Sequence, residues 1–212
     1  MKSATQILAL SVTLAFSTSL AGAQNLLVNG DFEVSPVLGT IPSGWNLIQN
    51  SFGTYDGRWN GLAPESGSWF IHVGNSGGPG GEYQDIATQA GRQYSLSFWG
   101  APWTLLTERG IVQVGTPGSD PLSLSLNNNA EYVNSSFVVS GVGGTSTWTQ
   151  FLFEFTASSS ITRVSFQNSY YTNPADSAVN VDNVSVTMIP EPSVMGISIL
   201  GLLMLRPFVR RW

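Results

Sequence analysis

The chain has no cysteine and one histidine, and between residues 24 and 188 it has no lysine. Without cysteine there are no disulfides, no thiolate catalysis and no thiolate-bound metal. The lone histidine, His72, sits in the alternating stretch Trp69-Phe70-Ile71-His72-Val73 and reads as a strand residue on the wet face, not as a catalyst. No Gly-x-Ser-x-Gly elbow and no His-Glu-x-x-His helix occurs. With lysine absent, Arg58, Arg92, Arg109 and Arg163 face twelve acids in residues 24–188, a formal charge near −8. Nucleic acid and anionic lipid are bound through basic patches, so this balance argues against both. It is compatible with cations and with neutral ligands such as sugars. Long helical periodicity is missing too, and no repeat of 20–50 residues is present.

The two ends differ from the middle. Residues 1–23 read as a secretory signal peptide. Lys2 gives the positive start, Ile7 to Phe16 the apolar stretch, and Ala21-Gly22-Ala23 the small-residue cleavage pattern, which makes Gln24 the new N-terminus. At the other end, Pro190-Glu191-Pro192 precedes an uncharged apolar run, Val194 to Leu205, followed by Arg206, Arg210 and Arg211. The prolines stop a helix from extending back into the preceding chain. Twelve helical residues span about 18 Å, against a hydrocarbon core of roughly 30 Å. Carried on to Val209 the helix reaches about 24 Å, so a transmembrane segment over 194–209 is a marginal span, and its arginines place the C-terminus in the cytoplasm.

This order of parts resembles the PEP-CTERM sorting signal of exported bacterial proteins, and the match covers about the last two dozen residues, 189–212. The resemblance implies removal of the tail by a membrane protease of the exosortase type, after signal peptidase has acted at the other end. It implies an inner-membrane intermediate with the domain in the periplasm, then delivery to the cell surface or beyond, in bacteria that make exopolysaccharide. The plainer alternative is an ordinary membrane tail.

Residues 24–188 suit one domain with a proper core. Short segments rich in β-branched and aromatic residues alternate with Gly, Asn and Pro, the pattern of an all-β sandwich. Period-two alternation is clear in 94–98, 122–126 and 151–155, in Val164/Phe166, and in the pairs Val179/Val181 and Val184/Val186. Each such stretch puts one face on a core and the other in water. Three segments carry a further resemblance: Asn25-Leu26-Leu27-Val28-Asn29-Gly30-Asp31-Phe32-Glu33 with Gly44-Trp45, the middle from Ser66 to Phe98, and the closing Val181-Asp182-Asn183-Val184-Ser185-Val186. Together these are similar to the galactose-binding-like jelly-roll family, which includes many carbohydrate-binding modules. The resemblance implies an antiparallel jelly-roll sandwich whose first and last strands lie side by side.

It also implies a structural calcium where those ends meet, with Glu33 and Asp182 as carboxylate ligands and Asp31 nearby. Calcium takes six to eight oxygens, which carboxylates and loop carbonyls supply. The alternative is that Glu33 and Asp182 cap backbone amides in turns. No organic cofactor is expected. Among the aromatics, Trp45, Trp69 and Trp148 read as core. Trp59, Trp103, Tyr170 and Tyr171 lie in turn-like contexts and are the candidates for stacking on sugar rings. Glu65, Glu82, Asp85 and Glu108 offer no pairing that would mark a glycosidase. The expectation is a non-enzymatic exported protein that binds or organises polysaccharide. The rivals are a purely structural or adhesive matrix protein and, more remotely, a polysaccharide-acting enzyme.

Overall fold

The computed structural model describes residues 24–49, 51–57, 61–74, 80–103, 107–118, 132–140, 147–168 and 178–191. The signal segment with Ala21 and Ala23, the tail from Pro192 with Arg206, Arg210 and Arg211, the expected strand 122–126, and Trp59, Tyr170 and Tyr171 lie outside the described residues.

Ten strands occur among the described residues: β1 (Asn46–Gln49), β2 (Gly53–Tyr55), β3 (Phe70–Gly74), β4 (Gly81–Ala87), β5 (Gln93–Pro102), β6 (Thr107–Gly115), β7 (Tyr132–Ser140), β8 (Thr149–Thr156), β9 (Ile161–Asn168) and β10 (Ala178–Met188). They form two five-stranded sheets, β1-β4-β9-β6-β7 (sheet I) and β2-β3-β10-β5-β8 (sheet II). Every pairing is antiparallel.

Alternation decides what each sheet buries. Val112 and Val114 of β6, Phe137 and Val139 of β7, and Val164 and Phe166 of β9 point inward from sheet I. Leu96 and Phe98 of β5, with Val179, Val181, Val184 and Val186 of β10, point inward from sheet II. Phe98 is the hub, with Phe166 at 4.8 Å, Phe137 at 5.0 Å and Phe151 at 5.3 Å between ring centroids. Phe151, Phe153 and Phe155 of β8 pack on this core while Leu152, between them, is exposed. Trp45 joins it too, its indole N–H donating to the Asn29 carbonyl.

The last strand contains an irregularity that sets the rest. Asp182 faces Trp99 and Ser185 faces Ser97, so β10 carries one residue more than β5 across that interval. Asn183 takes up the excess with φ at +48°, a left-handed conformation that asparagine tolerates. The slip shifts the alternation by one, so that Val179/Val181 and Val184/Val186 all face the same core.

Beside the slipped half of β10 runs the N-terminal segment. The Leu26 N–H donates to the Val186 carbonyl at 2.8 Å, and the Val184 N–H donates to Gly30 at 2.8 Å. The Asn25 carboxamide imitates a peptide: it donates to the Val184 carbonyl (3.0 Å) and accepts from the Val186 N–H (2.9 Å). The Gln84 carboxamide, from sheet I, does the same for both backbone groups of Val28. First and last segments thus lie side by side, and the opening segment is tied to both sheets. Leu27 and Phe32 carry it into the core. β10 runs up to the tail: the Ile189 N–H still bonds Gln93, and the Glu191 carboxylate pairs with Arg92.

Gly30 is where this segment touches β10, and a β-carbon there would overlap the Val184 carbonyl. Gly30→Ala should therefore cost about 2 kcal/mol or more, read as a lowered urea midpoint with an unchanged slope. A midpoint within error of wild type would mean that the segment is not held this closely.

Candidate functional site

Three places on the outside of sheet II gather the polar and aromatic residues of interest. The first is a carboxylate clamp. Asp182, fully buried, accepts the backbone N–H groups of Glu65 (2.9 Å), Ser66 (3.4 Å) and Asn183 (2.7 Å). Glu33 accepts those of Ser68 (2.7 Å) and Trp69 (2.8 Å) through one oxygen. The Asn183 amide reaches the Glu65 carboxylate and the Ser66 hydroxyl. Gly67, at φ +62°, lets the loop fold closely around Glu33, where a side chain would collide with the carboxylate. The clamp therefore joins the opening segment, the closing strand and the 65–69 loop. Burial, with the Glu65 charge adding to it, raises the Asp182 pKa to about 7 against the three amides. Glu33 and Asp182 do meet on one loop. Asp31 is exposed and lies in the neighbouring groove instead. Among the described residues no group of three or more acidic or histidine side chains converges as a metal cluster.

The second place is that groove, an open depression of about 510 Å³ between the N-terminal segment and the slipped half of β10. Asn25, Asn29, Asp31, Trp99, Asn183 and Ser185 are among its walls. Trp99 stands on the outer face of β5, in line with Ser95 and Ser97, while Leu96 and Phe98 point inward. The two asparagines of the opening segment are already committed: Asn25 to β10, and Asn29 to the Val34 N–H and the Ser43 carbonyl. Trp99, Asp31 and Ser185 supply an aromatic surface, a carboxylate and a hydroxyl.

The third is a small second core of Tyr55, Leu62, Phe70 and Ala101, covered by Leu38, Phe52, Trp103 and Trp148. Trp103 is half-buried against Tyr55 (5.4 Å) and the His72 ring (4.2 Å). Trp148 stacks edge-on to Phe70 and donates to the Ala63 carbonyl. Trp69, expected in the core, is half-buried. His72 corrects the wet-face expectation. It lies on the outer side of β3, but the second core covers that side and leaves it buried. The Asn180 amide donates to the Pro102 carbonyl, so the Asn180 oxygen accepts from His72 Nδ1 at 2.8 Å, which fixes the neutral tautomer. Burial pushes the His72 pKa down to about 4, against the opposing Asn180 bond.

Ser51 and Glu82 lie close by without forming a triad with this histidine. The Ser51 hydroxyl bonds the Glu82 carboxylate (2.6 Å) and the His72 carbonyl oxygen, not the imidazole. Glu82 is fully buried where the chain crosses from sheet I to sheet II, and burial raises its pKa to about 7.

Trp99 is the residue that sequence reasoning passed over. Its signal was present: Trp99 shares the polar phase of Ser95 and Ser97, opposite Leu96 and Phe98.

No protein-family model matches the chain, and no curated protein sequence matches it. Solved structures do. An arabinose-bound α-L-arabinofuranosidase, MgGH51, superposes with a TM-score of 0.54 at 19% identity over 77% of this chain and 26% of its own. TmCBM61 in complex with β-1,4-galactotriose gives 0.50 at 12% identity over 79% of this chain and 100% of its own. The enzymatically active domain of tailspike protein 4 from Bacteriophage CBA120 gives 0.49 at 18% identity, over 78% of this chain and 21% of its own. This chain thus spans about a fifth of the tailspike chain and a quarter of the arabinofuranosidase. The domain is an antiparallel jelly-roll β-sandwich of the kind found in carbohydrate-binding modules.

Glu82 has a raised folded-state pKa, so its stabilising contribution is full below the unfolded value near 4.5 and is lost as pH rises through about 7. Glu82→Gln removes this loss. It should raise stability by on the order of 1–3 kcal/mol at pH 8.5 and change it little at pH 5. His72 has the opposite sign, its contribution falling away as pH drops from about 6.5 through 4. Asp182 has the same sign as Glu82, but both remain in wild type and variant and cancel. Equal gains at the two pH values in urea melts would contradict the assignment.

Proposed function

We propose that this is an exported, non-enzymatic protein of the cell surface or extracellular matrix that binds neutral polysaccharide through the Trp99 groove. The observation that carries the reading is the groove itself: an indole face, a carboxylate and a hydroxyl around about 510 Å³ of open space. That volume suits one or two sugar rings, and such rings offer an apolar face for the indole and hydroxyls for Asp31 and Ser185. The acidic, lysine-free domain disfavours anionic polymers and nucleic acid. Export and cell-surface delivery rest on the signal-like and PEP-CTERM-like ends, through signal peptidase, an exosortase-type protease and a stage at the inner membrane. Among the described residues no helix is long and apolar enough to cross a membrane, and the tail lies outside them.

The adhesive alternative draws on Leu152, 67% exposed on the edge strand β8. Trp99→Ala and Asp31→Asn separate the two readings. Each should weaken binding of the full-length protein to neutral polysaccharide by about tenfold, measured by affinity electrophoresis, while Leu152→Ser leaves it unchanged. Retained affinity in both groove variants would end the groove reading.

We further propose a structural calcium at the clamp. Glu33 and Asp182 provide hard oxygens, and a cation would offset the cost of keeping the Asp182 charge buried. Calcium saturation should then raise the melting temperature of wild type by several degrees, chelator should reverse the rise, and Glu33→Gln should abolish it. Identical melts with and without chelator would leave the amide clamp as the only staple.

A further inference from the structure

Asn183 belongs to the clamp and to the groove beside Trp99 at once. Both hydrogens of its carboxamide are used: one goes to the Glu65 carboxylate and one to the Ser66 hydroxyl, at 2.8 Å. A carboxylate can only accept, so Glu65 fixes which end of the amide faces the 65–69 loop. Neither Glu65 nor Ser66 is among the walls of the groove, whereas Asn183 is. The nitrogen end therefore points out of the groove, and the oxygen is the end left to face it. Among the described residues nothing donates to that oxygen. Asp31, exposed on the same groove, has no hydrogen-bond or ion-pair partner among the described residues either.

The chemistry of these free atoms ranks the ligands. Asp31 and the Asn183 oxygen only accept, and Asp31 is charged. No lysine or arginine stands among the described walls of the groove, and residues 24–188 carry a formal charge near −8. A carboxylate or phosphate would meet like charge and lone pairs. Calcium, which takes six to eight oxygens, would find one carboxylate and one amide oxygen among these side chains. A protonated amine offers three hydrogens and a positive charge, which the two acceptors and the indole face of Trp99 all attract. The hydroxyls beside such an amine on a sugar ring serve Ser185.

We propose that the groove prefers saccharides that bear a free amine, held by Asp31 and the Asn183 carboxamide oxygen, with Glu65 as the positioning residue that orients Asn183. This rests on the groove reading and extends its ligands from neutral sugars to amino sugars, which the groove ranks higher.

Calorimetric titration of the full-length protein with glucose, galactose, glucosamine and galactosamine tests the preference. Each amino sugar should bind about five- to tenfold more tightly than its parent at low ionic strength, and added salt should shrink that ratio. Asp31→Asn weakens both kinds of ligand and should bring the ratio close to one. Glu65→Gln releases the Asn183 amide to turn and should lower the ratio too, which a change in stability alone would not do. Parent sugars that bind as tightly as the amino sugars would overturn the preference and leave the groove reading standing. Amino sugars that bind while their parents do not would overturn the neutral reading and leave the amine site standing. Binding of none of the four would overturn both. A ratio unchanged in Asp31→Asn would overturn the assignment. So would a trilysine peptide that binds as tightly as the amino sugars, since the groove would then serve a basic peptide and not a sugar.

Discussion

The extra residue in β10 governs how the two ends of the domain meet. In a regular strand, Val184 and Val186 would fall on the opposite face from Val179 and Val181, and half of the closing strand would present valines to solvent. One residue in the left-handed region, Asn183, restores the phase so that all four reach the core. Asp182, just before the slip, keeps the outer phase of Asn180 and meets the 65–69 loop, and beyond the slip β10 faces an opening segment that is not itself a regular strand. That segment is held instead by side chains that imitate backbone, Asn25 towards β10 and Gln84 towards Val28. The groove beside Trp99 lies between these two irregular pieces.

Burial of charge and polarity follows from how the sheets are covered. An ordinary sandwich has one core and two wet outer faces. Here the outer face of sheet II bears a second aromatic core that takes in His72 and packs Trp103 and Trp148. The outer face of sheet I bears a buried amide layer. Burial raises the pKa of Glu82, on the inward phase of β4 opposite Phe166, and of Asp182, under the 65–69 loop, and lowers that of His72. An acidic surface and acid-favouring interior carboxylates leave this domain better suited to mildly acidic than to alkaline surroundings, down to the range in which His72 must be protonated.

Much of the sandwich was legible because strands with one buried face write their phase into the sequence. The phases of 94–98, 151–155 and Val164/Phe166 match β5, β8 and β9. The jump from Val179/Val181 to Val184/Val186 was visible as two pairs out of step, although only the pairing with β5 shows it to be a bulge. The side-by-side ends and Trp45 in the core also agree with the expectation. His72 followed its phase to the outer side of β3 but is buried there, because alternation says which side of a sheet a residue takes and not what covers that side. Trp99 was hidden for the converse reason: a strand tryptophan looks like core until its neighbours are known.

By itself the sequence determined composition and periodicity: an acidic, cysteine-free all-β domain, with a Pro-Glu-Pro box and three arginines after it. Those properties are local or additive, so they can be read without coordinates. Which polar groups come together was decided only by the tertiary structure. Gln113 and Gln167 are 54 positions apart, and Glu65 and Asn183 118 apart, and they meet through strand order and register. Neither is encoded in any one segment, since both emerge from how ten short strands pack their apolar faces together.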